Sequence, residues 1–213
     1  VGTTSFGDLK DGLVAHWAFD DGSGTTAADS SGNGHDGTLN LSPQWVEGLY
    51  GGALDFRHAN TNECVVVPAF EVTSGGITLA AWVKPRSFAQ ADARIIDKGT
   101  DVAAANDAWW MLSPVSSGGQ LRLRFRLRTN ENATTATQIA TSGTLVAGEW
   151  HHAAAVWNGT SMILYQDAVE TGRLAKGGTA VAANPSALVY LGNQLGGTQR
   201  RPFDGLIDDA CVF

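Results

Sequence analysis

The chain has 213 residues, with 14 basic against 21 acidic side chains and a formal net charge of −7, so it offers no general attraction to nucleic acid or to an anionic membrane, and any anion site must be local. Charged residues are only 16% of the chain while glycine reaches 26 residues, a profile of short strands and many turns that suits extracellular β proteins. No apolar run approaches the roughly 18 residues of a bilayer-crossing helix, which excludes insertion by a helix.

From the N-terminus, "VGTTSFGDLK" carries neither an initiator Met nor a signal peptide, and the expectation is a mature or excised domain. Period-two runs bounded by Gly, Asn, Asp or Pro then follow in order: "LVAHWAF", "GALDF", "CVVVP", "ITLAAWVKP", "RIIDKG", "WWMLSPV", "LRLRFRLRT", "TQIATS", "WHHAAAVWNG", "MILYQD", "ALVYLGN" and "GLIDDACVF". They predict about twelve strands. The Ala-rich "AKGGTAVAANPSA" is broken by Gly and Pro and reads as loop, so the expected fold is an all-β, two-sheet antiparallel sandwich. No Pro-rich linker or repeat divides residues 1–213, which predicts one domain with neighbouring termini.

Several stretches carry possible chemistry. "DSSGNGHDG", residues 29–37, sets Asp29, Ser31 and Asn33 at alternate positions before Gly34, an oxygen-rich turn that suits either a cation or a set of Asx-turns. Position twelve of a loop starting at Asp29 is Asn40 instead of a bidentate Glu, which excludes an EF-hand. Asp20 and Asp21 end the first predicted strand, and Asp208 and Asp209 sit in the last. If those strands are neighbours, Asp20 and Asp208 meet. In "LRLRFRLRT" the alternation puts Arg122, Arg124, Arg126 and Arg128 on one face, and a row of planar guanidinium forks fits the carboxylates or sulfates of an acidic glycan. The alternative is an ordinary cross-strand ladder with partners such as Asp97 or Glu149. Of Trp109 and Trp110, one must face outward, where a ring stacks on a sugar. Trp17, Trp82, Trp150 and Trp157 read as packing, as does His152. Cys64 and Cys211 leave two readings open, a disulfide or two buried thiols.

The order and wording of "GLVAHWAFDDGSGTTAADSSGNGHDGTL", "YGGALDF", "ITLAAWVKP", "GEWHHAAAVWNGTSMILYQDAVETG" and "FDGLIDDACVF" resemble the laminin-G-like, concanavalin A-like jelly-roll domains of secreted bacterial enzymes and adhesins. The resemblance implies a jelly roll and a structural calcium ion bound on one edge. Carried over by position, it implies Asp20 and Asp208 as side-chain ligands, with Asn33 and Gly52 adding amide or backbone oxygens. Hard oxygen donors suit calcium over zinc.

The fold hosts enzymes as well as binding modules, so activity has to come from residues. No E-x-D-x-x-E strand of the retaining-glycosidase kind is present, and Asp208 and Asp209 are neighbours expected on opposite faces. Arg124, His151 and Tyr165 could be assembled into a polysaccharide lyase, the minor alternative. The expectation is a non-catalytic, calcium-stabilised carbohydrate-binding module of a secreted protein, selective for acidic polysaccharide and working beside other domains of its parent chain. An adhesive or spacer domain that contacts proteins is the main alternative.

Overall fold

A computed structural model describes residues 10–59, 62–90, 92–100, 108–196 and 199–213. Among these residues it has no helix. The strands in chain order are β1 (Ala15–Trp17), β2 (Thr26–Ala27), β3 (Gly37–Asn40), β4 (Gln44–Glu47), β5 (Gly52–Phe56), β6 (Cys64–Val67), β7 (Ile77–Pro85), β8 (Ile96–Gly99) and β9 (Ala108–Ser117). They continue as β10 (Gln120–Thr129), β11 (Asn132–Ile139), β12 (His151–Trp157), β13 (Ser161–Gln166), β14 (Val169–Ala175), β15 (Leu188–Leu191), β16 (Leu195–Gly196), β17 (Gln199–Arg200) and β18 (Gly205–Val212).

Two antiparallel sheets stack as an all-β jelly-roll sandwich. The first runs β14-β13-β12-β7-β18-β5-β4, with β1 added on β18, and the second runs β11-β10-β9-β8-β15-β6-β3-β2. Antiparallel pairing of Ala15 with Val212 brings the terminal strands together. Period-two alternation sends one face of each sheet into a shared core. Leu79, Ala81 and Val83 of β7 meet Leu123, Phe125 and Leu127 of β10 there, together with the fully buried Trp17, Trp110 and Trp157. Each such aliphatic or phenyl side chain is worth about 1.5–3 kcal/mol of burial, enough for a few of them to outweigh a strained turn.

All twelve predicted runs contain strand. Of the unpredicted strands, β2, β3, β4, β16 and β17 are too short to show a period, and the outermost β14 ("VETGRLA") has too much polar surface. Cys64 lies on β6 of the second sheet and Cys211 on β18 of the first, both as free thiols. Burial pushes each thiol up to about 12, so they pack as small apolar groups.

Candidate functional site

The arginine strand alternates as its sequence dictates: Leu123, Phe125 and Leu127 are buried inward, and the four arginines point to the outer face of the second sheet. They do not form an open row. Arg124 is only 5% exposed, donates from Nε to Ser113 Oγ at 3.2 Å and pairs with Asp92. Two arginines from outside the strand join it at the same carboxylate, Arg94 at 2.8 Å and Arg201 at 3.2 Å. Arg94 also lies 3.9 Å from Asp97, the residue expected as a cross-strand partner, which sits on β8 across Met111 from Arg126. Glu149, the other expected partner, is exposed in the turn before β12. At the strand's ends, Arg122 donates to Gln120 Oε1 at 2.6 Å, and Arg128 donates to Thr135 and lies 4.5 Å over the Trp109 ring.

Six of the ten arginines thus share one face. Burial, then the charges of Arg126 and Arg201, pulls Arg124 down to about 9. Arg126 is lowered by burial and then by Arg94, partly offset by Asp97, and burial followed by Arg94 lowers Arg201. Six guanidinium groups against the two carboxylates of Asp92 and Asp97 leave this face positive on an acidic protein. The tryptophan pair divides as strand alternation requires, which removes Trp110 from the candidate sugar-binding residues. Trp109 is the outward member, already covered on one side by Arg128, whereas Trp110 is wholly buried against Phe70 and belongs to the core.

The acidic positions gather on the first sheet. Asp208 is fully buried, and its Oδ2 accepts the main-chain N–H groups of Leu49 and Tyr50 at 2.8 and 3.0 Å. Asp20 Oδ1 accepts Gly52 N–H at 2.6 Å, so both carboxylates hold one short turn, 48–52. At its glycines that turn has no room for a side chain: a Cβ on Gly48 would overlap Gly52 O and the Asp208 carboxylate, and one on Gly51 would overlap Asp20. Asp208 Oδ1 is buried without a hydrogen-bond partner, and burial pushes this carboxyl up despite the two N–H donors. An orphaned carboxylate oxygen, a second carboxylate and crowded carbonyls fit a hard cation. No group of three or more His, Cys, Asp or Glu converges among the described residues, so such a site would rest on two carboxylates plus main-chain oxygens.

Asn33 does not join it. Its Nδ2 donates to Leu13 O and Val14 O, at the opposite end of β1 from Asp20. The Asp29 carboxylate is engaged by the turn itself and by β1. Asp29 accepts from the backbone of His16, Ser31 and His35 and from the Ser31 hydroxyl, all within 2.9 Å. The oxygen-rich stretch is therefore an Asx-turn staple over β1. The terminal aspartates also differ from expectation. A bulge with φ 45° at Asp209 keeps it on the same outer face as Asp208, where it meets the His16 ring at 2.9 Å.

Two residues read as packing lie outward. Trp82 pairs across the first sheet with His152 on one side and Asp208 on the other, on the face away from the core. Its ring stands edge-on to Tyr50 and to His152, at centroid distances of 5.9 and 5.1 Å. Trp150 is likewise only half-buried. Strand alternation gave two faces for Trp82 without saying which one the second sheet covers. A signal was present in the parity of "LAAWVKP", where Leu79, Ala81 and Val83 form the more apolar set. His151, by contrast, is buried, accepts Val146 N–H at Nε2 and therefore donates from Nδ1 to Asp167 at 2.8 Å. Arg124 on the second sheet, inward-facing His151 and outward-facing Tyr165 lie on three different surfaces, so the lyase set is not assembled.

The family model for the concanavalin A-like lectin/glucanases superfamily, of the laminin-G type, matches residues 59–213. A search of curated proteins finds no match. Among solved structures, domain 4 of AbnA, a GH43 extracellular arabinanase from Geobacillus stearothermophilus in complex with arabinotriose, is similar at 20% identity and TM-score 0.68, over 94% of this chain and 91% of that one. The binding domain of Paraclostridial Mosquitocidal Protein 1 is similar at 17% identity and TM-score 0.69, over 97% of this chain and 49% of that one. A Trypanosoma rangeli sialidase mutant with trans-sialidase activity is similar at 13% identity and TM-score 0.61, over 96% of this chain. This chain spans only 31% of that enzyme. At these identities the likeness is one of fold.

Proposed function

The chain belongs to the concanavalin A-like lectin/glucanase superfamily, and from that premise we propose that it is a non-catalytic, calcium-stabilised carbohydrate-binding module of a secreted bacterial protein, selective for acidic polysaccharide. The observation that carries this reading is the gathering of Arg94, Arg122, Arg124, Arg126, Arg128 and Arg201 on one sheet face of a chain whose net charge is −7. Guanidinium groups engage carboxylate or sulfate bidentately, and their own Asp partners hold them in register until a ligand competes. The bound arabinotriose of the arabinanase domain, whose chain this one covers to 91%, supports a glycan as the ligand class. His151 is buried with both ring nitrogens engaged, which supports binding over catalysis at this residue. Calcium would sit between Asp20, Asp208 and the carbonyls of the 48–52 turn, and would give its binding energy to the fold. Weak contacts to a polymer would then raise the effective concentration of an attached domain near its target.

Affinity gel electrophoresis tests this with polygalacturonate, a sulfated polysaccharide and a neutral polymer at low and high salt. The acidic polymers should retard the protein, salt should weaken the effect, and Arg126→Gln with Arg201→Gln should reduce it by about tenfold or more. Equal migration in acidic and blank gels would refute the proposal.

A further inference from the structure

The aromatic strip on the outer face of the first sheet has no part in the arginine face on the opposite sheet, and the observations there point to a different ligand. Tyr50 is 60% exposed, yet its turn is fixed by two hydrogen bonds from the main chain of Leu49 and Tyr50 to buried Asp208. A ring carried on a fixed turn has less main-chain freedom left to lose on binding. Tyr50 and His152 stand at 67° and 62° to Trp82, forming an angled aromatic trough across β18, β7 and β12. At its far side a shallow pocket is lined by Trp82, His152, Asp167 and Ala168. The Asp167 carboxylate, anchored by His151 Nδ1 and by His152 N–H at 2.8 Å each, keeps a side chain that is 44% exposed.

We infer that this trough is a second glycan site, taking one or two rings of a neutral polysaccharide. The apolar C–H face of a sugar ring stacks against the aromatic trough while its hydroxyls donate to Asp167. Charge selects the neutral class. The exposed Asp167 carboxylate borders the trough directly, Glu170 is paired with Arg173, and Lys84 lies two residues beyond Trp82 on the same outer face, so a uronic or sulfated chain stacked beside Asp167 is repelled there and drawn to the other sheet. With both sites the module binds two chemically distinct polymers on its two outer faces.

The test is an amide and indole NMR titration of the whole domain with xylohexaose, cellohexaose and linear arabinohexaose. The Tyr50, Trp82 and His152 signals should shift saturably with at least one of them. Tyr50→Ala, which removes an exposed ring and leaves the core intact, should weaken binding about tenfold. Arg126→Gln with Arg201→Gln should leave it unchanged, which separates this site from the acidic-glycan face. The inference is overturned if no hexasaccharide moves these signals, if the shifts map to the arginine face, or if Tyr50→Ala binds as the parent does. Line broadening that follows protein concentration instead of sugar would also overturn it, and would assign the strip to a second copy of the chain.

Discussion

Asp29 shows how one side chain can organise a segment with no regular structure. Burial raises its carboxyl pKa, but hydrogen bonds from His16, Ser31 and His35 outweigh that and hold it below the ordinary value. With the folded pKa depressed, its contribution to stability is fully present above the unfolded carboxylate pKa and fades as pH falls through the folded one. Asp29→Asn should therefore lower the melting temperature at pH 7, by an amount corresponding to about 1–3 kcal/mol, with a smaller deficit at a pH below the ordinary carboxylate range. A deficit that is the same at both pH values would mean that the charge is not what matters. The sequence allowed this residue two roles, cation ligand or turn staple. Only the positions of the main-chain donors of His16 and His35 decide between them, and those depend on where β1 runs.

At the scale of elements, the alternation of "LRLRFRLRT" was legible because every inward residue is apolar and every outward one charged. What covers that face was not, since Asp92, Arg94 and Arg201 come from loops remote in sequence. Phe125→Ala on β10 should cost about 3–5 kcal/mol, read as a denaturant midpoint shift with unchanged slope. The 48–52 turn makes the second element-scale case. Asp20 and Asp208 were paired through their motifs, and strand β18 running beside β1 and β5 brings them to one turn. Asn33 was placed wrongly because a motif's composition does not reveal which end of β1 it folds against. If calcium occupies this turn, saturating calcium over chelator should raise the melting temperature by the equivalent of about 2.7 kcal/mol at a hundredfold excess over Kd. Asp208→Asn should abolish that difference. A melting temperature indifferent to chelator would remove calcium from the account.

For the whole molecule, the two sheets differ on their outer faces. They share one core, which the period-two runs foretold, but their outer faces differ in chemistry, with arginines on one and aromatic rings with carboxylates on the other. That division was half legible. The arginines announced themselves by spacing, whereas Trp82 and Tyr50 come from separate motifs and meet only in the fold. The most direct measurement is isothermal titration calorimetry of the domain with a galacturonate hexasaccharide at about 50 and 200 mM salt. Saturable binding is expected, with an affinity that falls with salt and drops about tenfold or more with Arg126→Gln and Arg201→Gln. Binding that ignores both salt and those substitutions, or no heat at all at millimolar ligand, would contradict it.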